Sequence, residues 1–169
     1  AAFTVLGAIA LQGVRLAQPT LGERFAVIGL GLVGLLTLQI LRAHGCQVLA
    51  MDPSAERARI GGELGAEIVT ATDAETILRA ASEFARGGGI DGVLITAATD
   101  SDAPLHNAAQ MCRKRGRIVL VGTTGLTLQR ADFYEKALSF QVSCPYGPGR
   151  SAAHYDEVGP AYPPGFVRL

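Results

Sequence analysis

The chain has 169 residues, of which 49% are hydrophobic and 18% charged, with a positive mean hydropathy. That is enough for one domain with a proper core, and apolar enough that part of its surface is expected to face a partner. Fifteen Lys and Arg balance fifteen Asp and Glu, so neither the basic stripe of a nucleic-acid binder nor a basic patch for anionic lipid is present.

Cys46, Cys112 and Cys144 are odd in number and widely spaced, which argues against a disulfide framework or a zinc cluster and favours a reducing, cytoplasmic compartment. Residues 1–16 are apolar but lack a basic leader and are interrupted by Gln12 and Arg15. They read as an amphipathic helix beside a core, with Val5, Ile9, Leu11 and Val14 to Leu16 as its apolar positions, and not as a signal peptide or membrane span. Its abrupt start suggests the middle of a longer protein. "QPTLGE" then supplies a turn.

From Arg24 onward, apolar runs rich in Val and Ile alternate with helical stretches. The runs "RFAVIGL", "CQVLAMD", "AEIVTA", "DGVLITAA" and "RIVLVG" suit strands buried on both faces of a parallel sheet. Crossover helices are expected over 32–43, 54–64, 73–86 and 103–115. Thr72 with Glu75 fits a capping box, and Gly45, Gly65, Gly87 and Gly116 fall where helix ends need a left-handed residue. A further strand is expected over 138–143, followed by an irregular tail. The architecture implied is α/β, a doubly wound parallel sheet of the Rossmann type with about six strands.

Gly29-Leu30-Gly31-Leu32-Val33-Gly34 matches G-x-G-x-x-G, and its context gives the match its force: a strand precedes it, a helix follows, and an acid closes the next strand. The first glycine permits the tight turn, the second admits a pyrophosphate near the backbone, and the third lets helix and strand pack closely. The phosphates would meet the free N–H groups at Leu32 and Val33. Asp52 lies eighteen residues beyond Gly34, near the offset of the carboxylate that holds an adenosine ribose. Its charge favours NAD over NADP. Arg57 is a candidate adenine contact. The small residues ending "ITAAT" and "LVGTTG" leave room for the cofactor.

The stretch from "AAFTVLGAIALQGVRLAQPTLGERFAVIGLG" to "CQVLAMD", with "ELGAE", "GVLITAAT" and "GRIVLVGTTG", resembles the cofactor domain of the medium-chain dehydrogenases/reductases, the alcohol-dehydrogenase-like family. The more specific marks are the first helix with its "G..AL.G.R" pattern, the "LGE" before the first strand, and "ELGA". The resemblance implies a six-stranded sheet, NAD or NADP, hydride transfer to or from an alcohol or carbonyl carbon, and a homodimer joined through the edge of this domain. On this chain it implies that Gly29, Gly31, Leu32, Val33 and Gly34 hold the pyrophosphate and Asp52 the ribose, while Ala97, Ala98, Val121 and Gly122 line the cofactor cleft. Residues 1–145 would form the dinucleotide-binding domain, and 146–169 a tail or linker to a missing module.

"DFYEKALSFQVSCPYGPGR" and "YPPGFVR" resemble the junction in bi-domain bacterial oxidoreductases, where a glucose-fructose-oxidoreductase-like module follows. The implied substrate is a small alcohol, carbonyl or sugar derivative, met through a missing domain that carries the family's zinc ligands and proton relay. Catalytic residues are therefore not assigned. His44, His106 and His154 lack metal-ligand spacing, so no zinc is expected here. Cys144 and Ser143 lack a neighbouring base, and Asp132, Tyr134, Glu135 and Lys136 read as a solvated face. Two other readings are a non-catalytic NAD-sensing module and a Rossmann relative that binds S-adenosylmethionine.

Overall fold

The computed structural model describes residues 2–145; the expected tail over 146–169 and His154 lie outside them. Its elements run α1 (Thr4–Ala17), β1 (Arg24–Ile28), α2 (Leu32–Ala43), β2 (Gln47–Met51), α3 (Ala55–Glu63), β3 (Glu67–Val69), α4 (Ala74–Phe84), β4 (Ile90–Ile95), α5 (Ala103–Met111), β5 (Cys112–Leu120), α6 (Arg130–Tyr134) and β6 (Ser139–Val142). The six strands form one sheet in the order β3-β2-β1-β4-β5-β6, every pairing parallel. Strand order reverses between β1 and β4, which is where such sheets open a crevice for a ligand.

Period-two alternation sorts the strand side chains onto two faces, and both faces are buried. Phe25 and Val27 of β1, Leu94 of β4 and Val119 of β5 join Val14, Leu38 and Leu41 in one core. Ala26, Val93, Ile95, Ile118 and Leu120 join Ile77, Ala81, Leu105 and Ala108 in the other. Helices α1 and α2 thus cover the first face, and α4 and α5 the second.

The buried residues of α1 are Ala10, Gln12, Gly13, Val14 and Ala17. The small residues of this stripe, spaced i, i+3, i+4, i+7, are what meet the core, while Val5 is exposed, so the contact face is narrower and turned from the large apolar positions expected. A Cβ on Gly13 would run into the Val121 side chain and come within 3.4 Å of Leu94.

Four local expectations are corrected. Helix α4 is capped by Asp73, whose carboxylate accepts from the Thr76 N–H at 2.8 Å, not by Thr72; that bond holds the Asp73 carboxyl below its ordinary range. Helix α5 stops at Met111, and β5 begins at Cys112 instead of Arg117, because Ile90 already pairs with Cys112 before the register shifts to Gly92 with Arg117. Inside that irregularity the left-handed residue is Arg115 (φ 60°), not Gly116, whereas Gly45, Gly65 and Gly87 do take positive φ. Finally, the charge run near 132–136 is tied down: Asp132 Oδ2 lies 2.6 Å from His106 Nδ1, and the Lys136 ammonium donates to the last carbonyls of α5, at Ala109 and Gln110.

Cys46 and Cys112 are buried and Cys144 is exposed, all three as free thiols. Burial raises the Cys46 thiol pKa and pushes that of Cys112 up to about 12, against the pull of nearby Lys136, Arg113 and Arg117. Only thiolate attacks disulfide reagents, so at pH 8 Ellman's reagent should titrate Cys144 rapidly and the other two only after denaturant is added. Rapid release of three equivalents from the native chain would contradict this packing.

Candidate functional site: a cleft at the strand crossover

The site begins at the end of β1. Gly29 continues the ladder, its N–H donating to Met51 O at 2.8 Å, and then turns with φ 97°. Glycine is required on two counts here: the left-handed backbone, and the approach of Ala97, whose N would lie 2.6 Å from any Cβ. Gly34, in the first turn of α2, packs so closely that a Cβ would overlap Gly29 O and come within 2.8 Å of Thr96 Oγ1. Thr96, the residue after β4, locks this turn: its hydroxyl donates to Gly29 O at 2.5 Å, and its N–H to Ile28 O at 2.8 Å.

Gly31 is different. It is the N-cap of α2, with extended backbone, and a Cβ there would meet nothing within 4 Å. No side chain caps the helix and no acid lies in its first turn. The opening N–H groups at Leu32, Val33 and Gly34, together with the positive end of the helix, are therefore free to face an anion. Leu32 is exposed and Val33 half-buried.

Asp52 follows β2 and is 4% exposed. Oδ2 accepts from the Leu30 N–H at 2.7 Å and Oδ1 from the Ser54 N–H at 2.9 Å, so the carboxylate links the glycine turn to the start of α3. A carboxylate has about four acceptor positions, and these bonds use two. Arg57, 59% exposed, holds Nη1 3.8 Å from Oδ2, a separation that adds little at such exposure.

These residues border a cleft of about 780 Å³. Of the residues singled out in the sequence, Gly29, Gly31, Asp52, Arg57, Ala97 and Ala98 line it. Leu32, Val33 and Gly34 stand at the adjoining helix end. Val121 and Gly122 lie outside its lining: the Val121 side chain packs toward α1, and Gly122 sits so close behind Ala97 that a Cβ would overlap Ala97 O. Their strand end is nevertheless tied to the cleft wall, since Thr123 N–H donates to Ala97 O and Thr99 N–H to Thr123 O.

Thr96 and Thr99, within the "ITAAT" strand end, also line it, and lining residues that the sequence reading missed include Met51, Pro53, Ala71, Thr72, Ile77, Ser101 and Asn107. Thr96 carried a signal, as the first polar residue after the apolar run of β4. Among the described residues no group of three or more His, Cys, Asp or Glu could hold a metal ion. No described helix is long and apolar enough to cross a membrane.

A crossover crevice, an open glycine at an uncapped helix start and a buried acid at the end of the second strand define a dinucleotide-binding α/β domain. The family model described as zinc-binding dehydrogenase matches residues 33–157, and the chain belongs to that family, as its NAD(P)-binding half. Over 77 residues it is 35% identical to the (R,R)-butanediol dehydrogenase of Bacillus subtilis, covering 45% of this chain and 22% of that enzyme. Over 68 residues it is 44% identical to an aldehyde reductase of a Synechocystis species, covering 40% of this chain and 20% of that one. The solved structure of the Bacillus subtilis butanediol dehydrogenase superposes with a TM-score of 0.77 at 26% identity, covering 98% of this chain and 48% of that one. The chain thus matches about a fifth of the length of its curated relatives and about half of the solved enzyme.

The contrast between two glycines is testable. Gly31→Val should leave stability within about 1 kcal/mol, the scale of an N-cap change, yet weaken NADH binding by filling the anion's approach. Gly34→Val should destabilise by about 1 to 3 kcal/mol or more, because overpacking here falls on backbone. Urea denaturation and NADH fluorescence titration together read both effects; unchanged affinity in Gly31→Val would reduce that glycine to a packing device.

Proposed function

We propose that residues 1–145 form the NAD(H)-binding domain of an oxidoreductase that moves hydride between NAD and an alcohol or carbonyl carbon, with sugar derivatives among the candidate substrates. When bound, the nicotinamide accepts or donates the hydride. The chain's own residues bind and orient it. The N–H groups opening α2 hold the pyrophosphate, Asp52 receives the ribose hydroxyls on its remaining acceptor positions, and Arg57 covers the adenine. Residues 146–169 then lead to a further module, and the groups that polarise the substrate oxygen and move its proton belong to a separate domain. The working unit is a homodimer joined along the edge strand β6, whose Val142 is 53% exposed, and the compartment is the cytoplasm.

The observation that carries the preference for NAD is the burial of Asp52. A carboxylate with 4% exposure is poorly screened, and it borders the position that the 2′-phosphate of NADP would take. Arg57 offsets this charge only weakly from its exposed position.

NADH should therefore bind more tightly than NADPH in a fluorescence titration, and equal affinities would remove the role given to Asp52. Asp52→Ser should narrow the gap by about 1 to 3 kcal/mol, partly because Arg57 is then free to meet a phosphate. The same substitution should lower the melting temperature, since the Leu30 N–H loses its acceptor. The 169-residue chain with NAD should give no absorbance gain at 340 nm across a panel of alcohols and sugars, because hydride transfer also requires a held substrate and a proton-moving group. Robust protein-dependent NADH formation would place catalysis within these residues.

A further inference from the structure

Among the described residues, Asn107 is a polar side chain of the cleft without a hydrogen-bond partner. Asn107, on α5, is 9% exposed and lines the cleft together with Ala103 and Pro104, one turn earlier on the same helix face. The other buried residues of α5 are Leu105, Ala108, Ala109 and Met111, so the amide is the one polar group the helix buries. Among the described residues its side chain makes no hydrogen bond. The amide is not one of the fully buried unpartnered groups; it opens into the cleft, where a ligand can supply the partner that the described residues do not.

The surroundings say which part of a ligand this is. Strand order places the ends of β2 and β3 on one side of β1, and Asp52 on that side marks the ribose. Beyond it the cleft is walled by Met51, Pro53, Ala71 and Ile77, with Asn107 facing in from α5. Apolar walls accept a flat aromatic ring, and a single amide offers one donor and one acceptor to the ring's edge.

We propose that Asn107 reads the edge of adenine: its amide oxygen accepts from the N6 amino group, and its amide nitrogen donates to N7. This paired geometry is the one by which Asn recognises adenine in other settings. It would make Asn107 a specificity-determining residue for the base, independent of the choice between NAD and NADP. The assignment rests on the dinucleotide reading above.

The test compares NADH with reduced nicotinamide hypoxanthine dinucleotide, in which a carbonyl oxygen replaces the N6 amino group. That analogue would set oxygen against the Asn107 amide oxygen and lose one of the two bonds. The 169-residue chain should hold NADH at least about fivefold more tightly than the analogue, the lower end of what such a pair discriminates. Asn107→Leu, which keeps the branching at Cγ and is well suited to a helix, should bring the ratio close to one, with the circular dichroism spectrum retained. Asn107→Ala provides the same readout if the leucine disturbs α5. Equal binding of the two dinucleotides by the unmodified chain would overturn the proposal, as would a folded Asn107 variant that keeps the preference. Binding of neither dinucleotide by the unmodified chain would instead overturn the dinucleotide reading, and the proposal with it.

Discussion

Everything in the cleft depends on how closely two pieces of backbone approach at the end of β1. Gly29 leaves the strand against Ala97, and Gly34 returns in α2 against the carbonyl of Gly29, with the Thr96 hydroxyl pinned between them. A side chain at Gly34 would push α2 away from the end of β1, and one at Gly29 would push the turn away from Ala97 in the loop after β4. Because the approach is made by backbone atoms, no larger residue can reproduce it with a different rotamer. A side chain at Gly31, between these two contacts, would meet nothing within 4 Å, so the same turn is tight where it supports the helix and open where it faces the cleft.

Asp52 extends that support sideways. Its two hydrogen bonds run to the glycine turn and to the start of α3, so one carboxylate fixes the spacing between two loops that leave neighbouring strands. A group in this position is oriented before any ligand arrives, and its conformational entropy has already been lost on folding. The same residue therefore both holds the turn and lines the cleft.

The strands, their parallel order and the glycine turn were legible because each writes a strong local pattern: continuous apolar runs, a fixed glycine rhythm, and an acid at a defined distance. The errors fall where tertiary contacts override local preference. Nothing local separates "MCRKRG" from the end of a helix; it becomes strand because Ile90 offers Cys112 a ladder partner. The pairing of His106 with Asp132 and the capping of α5 by Lys136 join residues 26 or more positions apart, and a charge run seen in isolation reads as solvated. Val121 was placed at the cleft by the resemblance; in the fold its side chain packs with the core beneath α1 and α2. Asn107 was missed because a lone polar residue in a helix signals nothing until the wall it occupies is known.

The seat of α1 on the sheet has a consequence for how the molecule is built. Its stripe of small residues packs against β5 as well as α2, with Gly13 meeting Val121 and the carbonyl of Gln18 accepting from Arg117 at 3.0 Å. Helix α1 is therefore completed by a strand whose Arg117 lies 99 positions beyond Gln18. Strands β1, β2 and β3 can pair as they emerge, but α1 cannot finish docking until β5 has been made and inserted beside β4. Long-range closure of this kind slows folding, and in the interval the Ala10, Gly13, Val14 and Ala17 stripe is only partly covered. The interval before β5 arrives is when this domain is most exposed to association through α1.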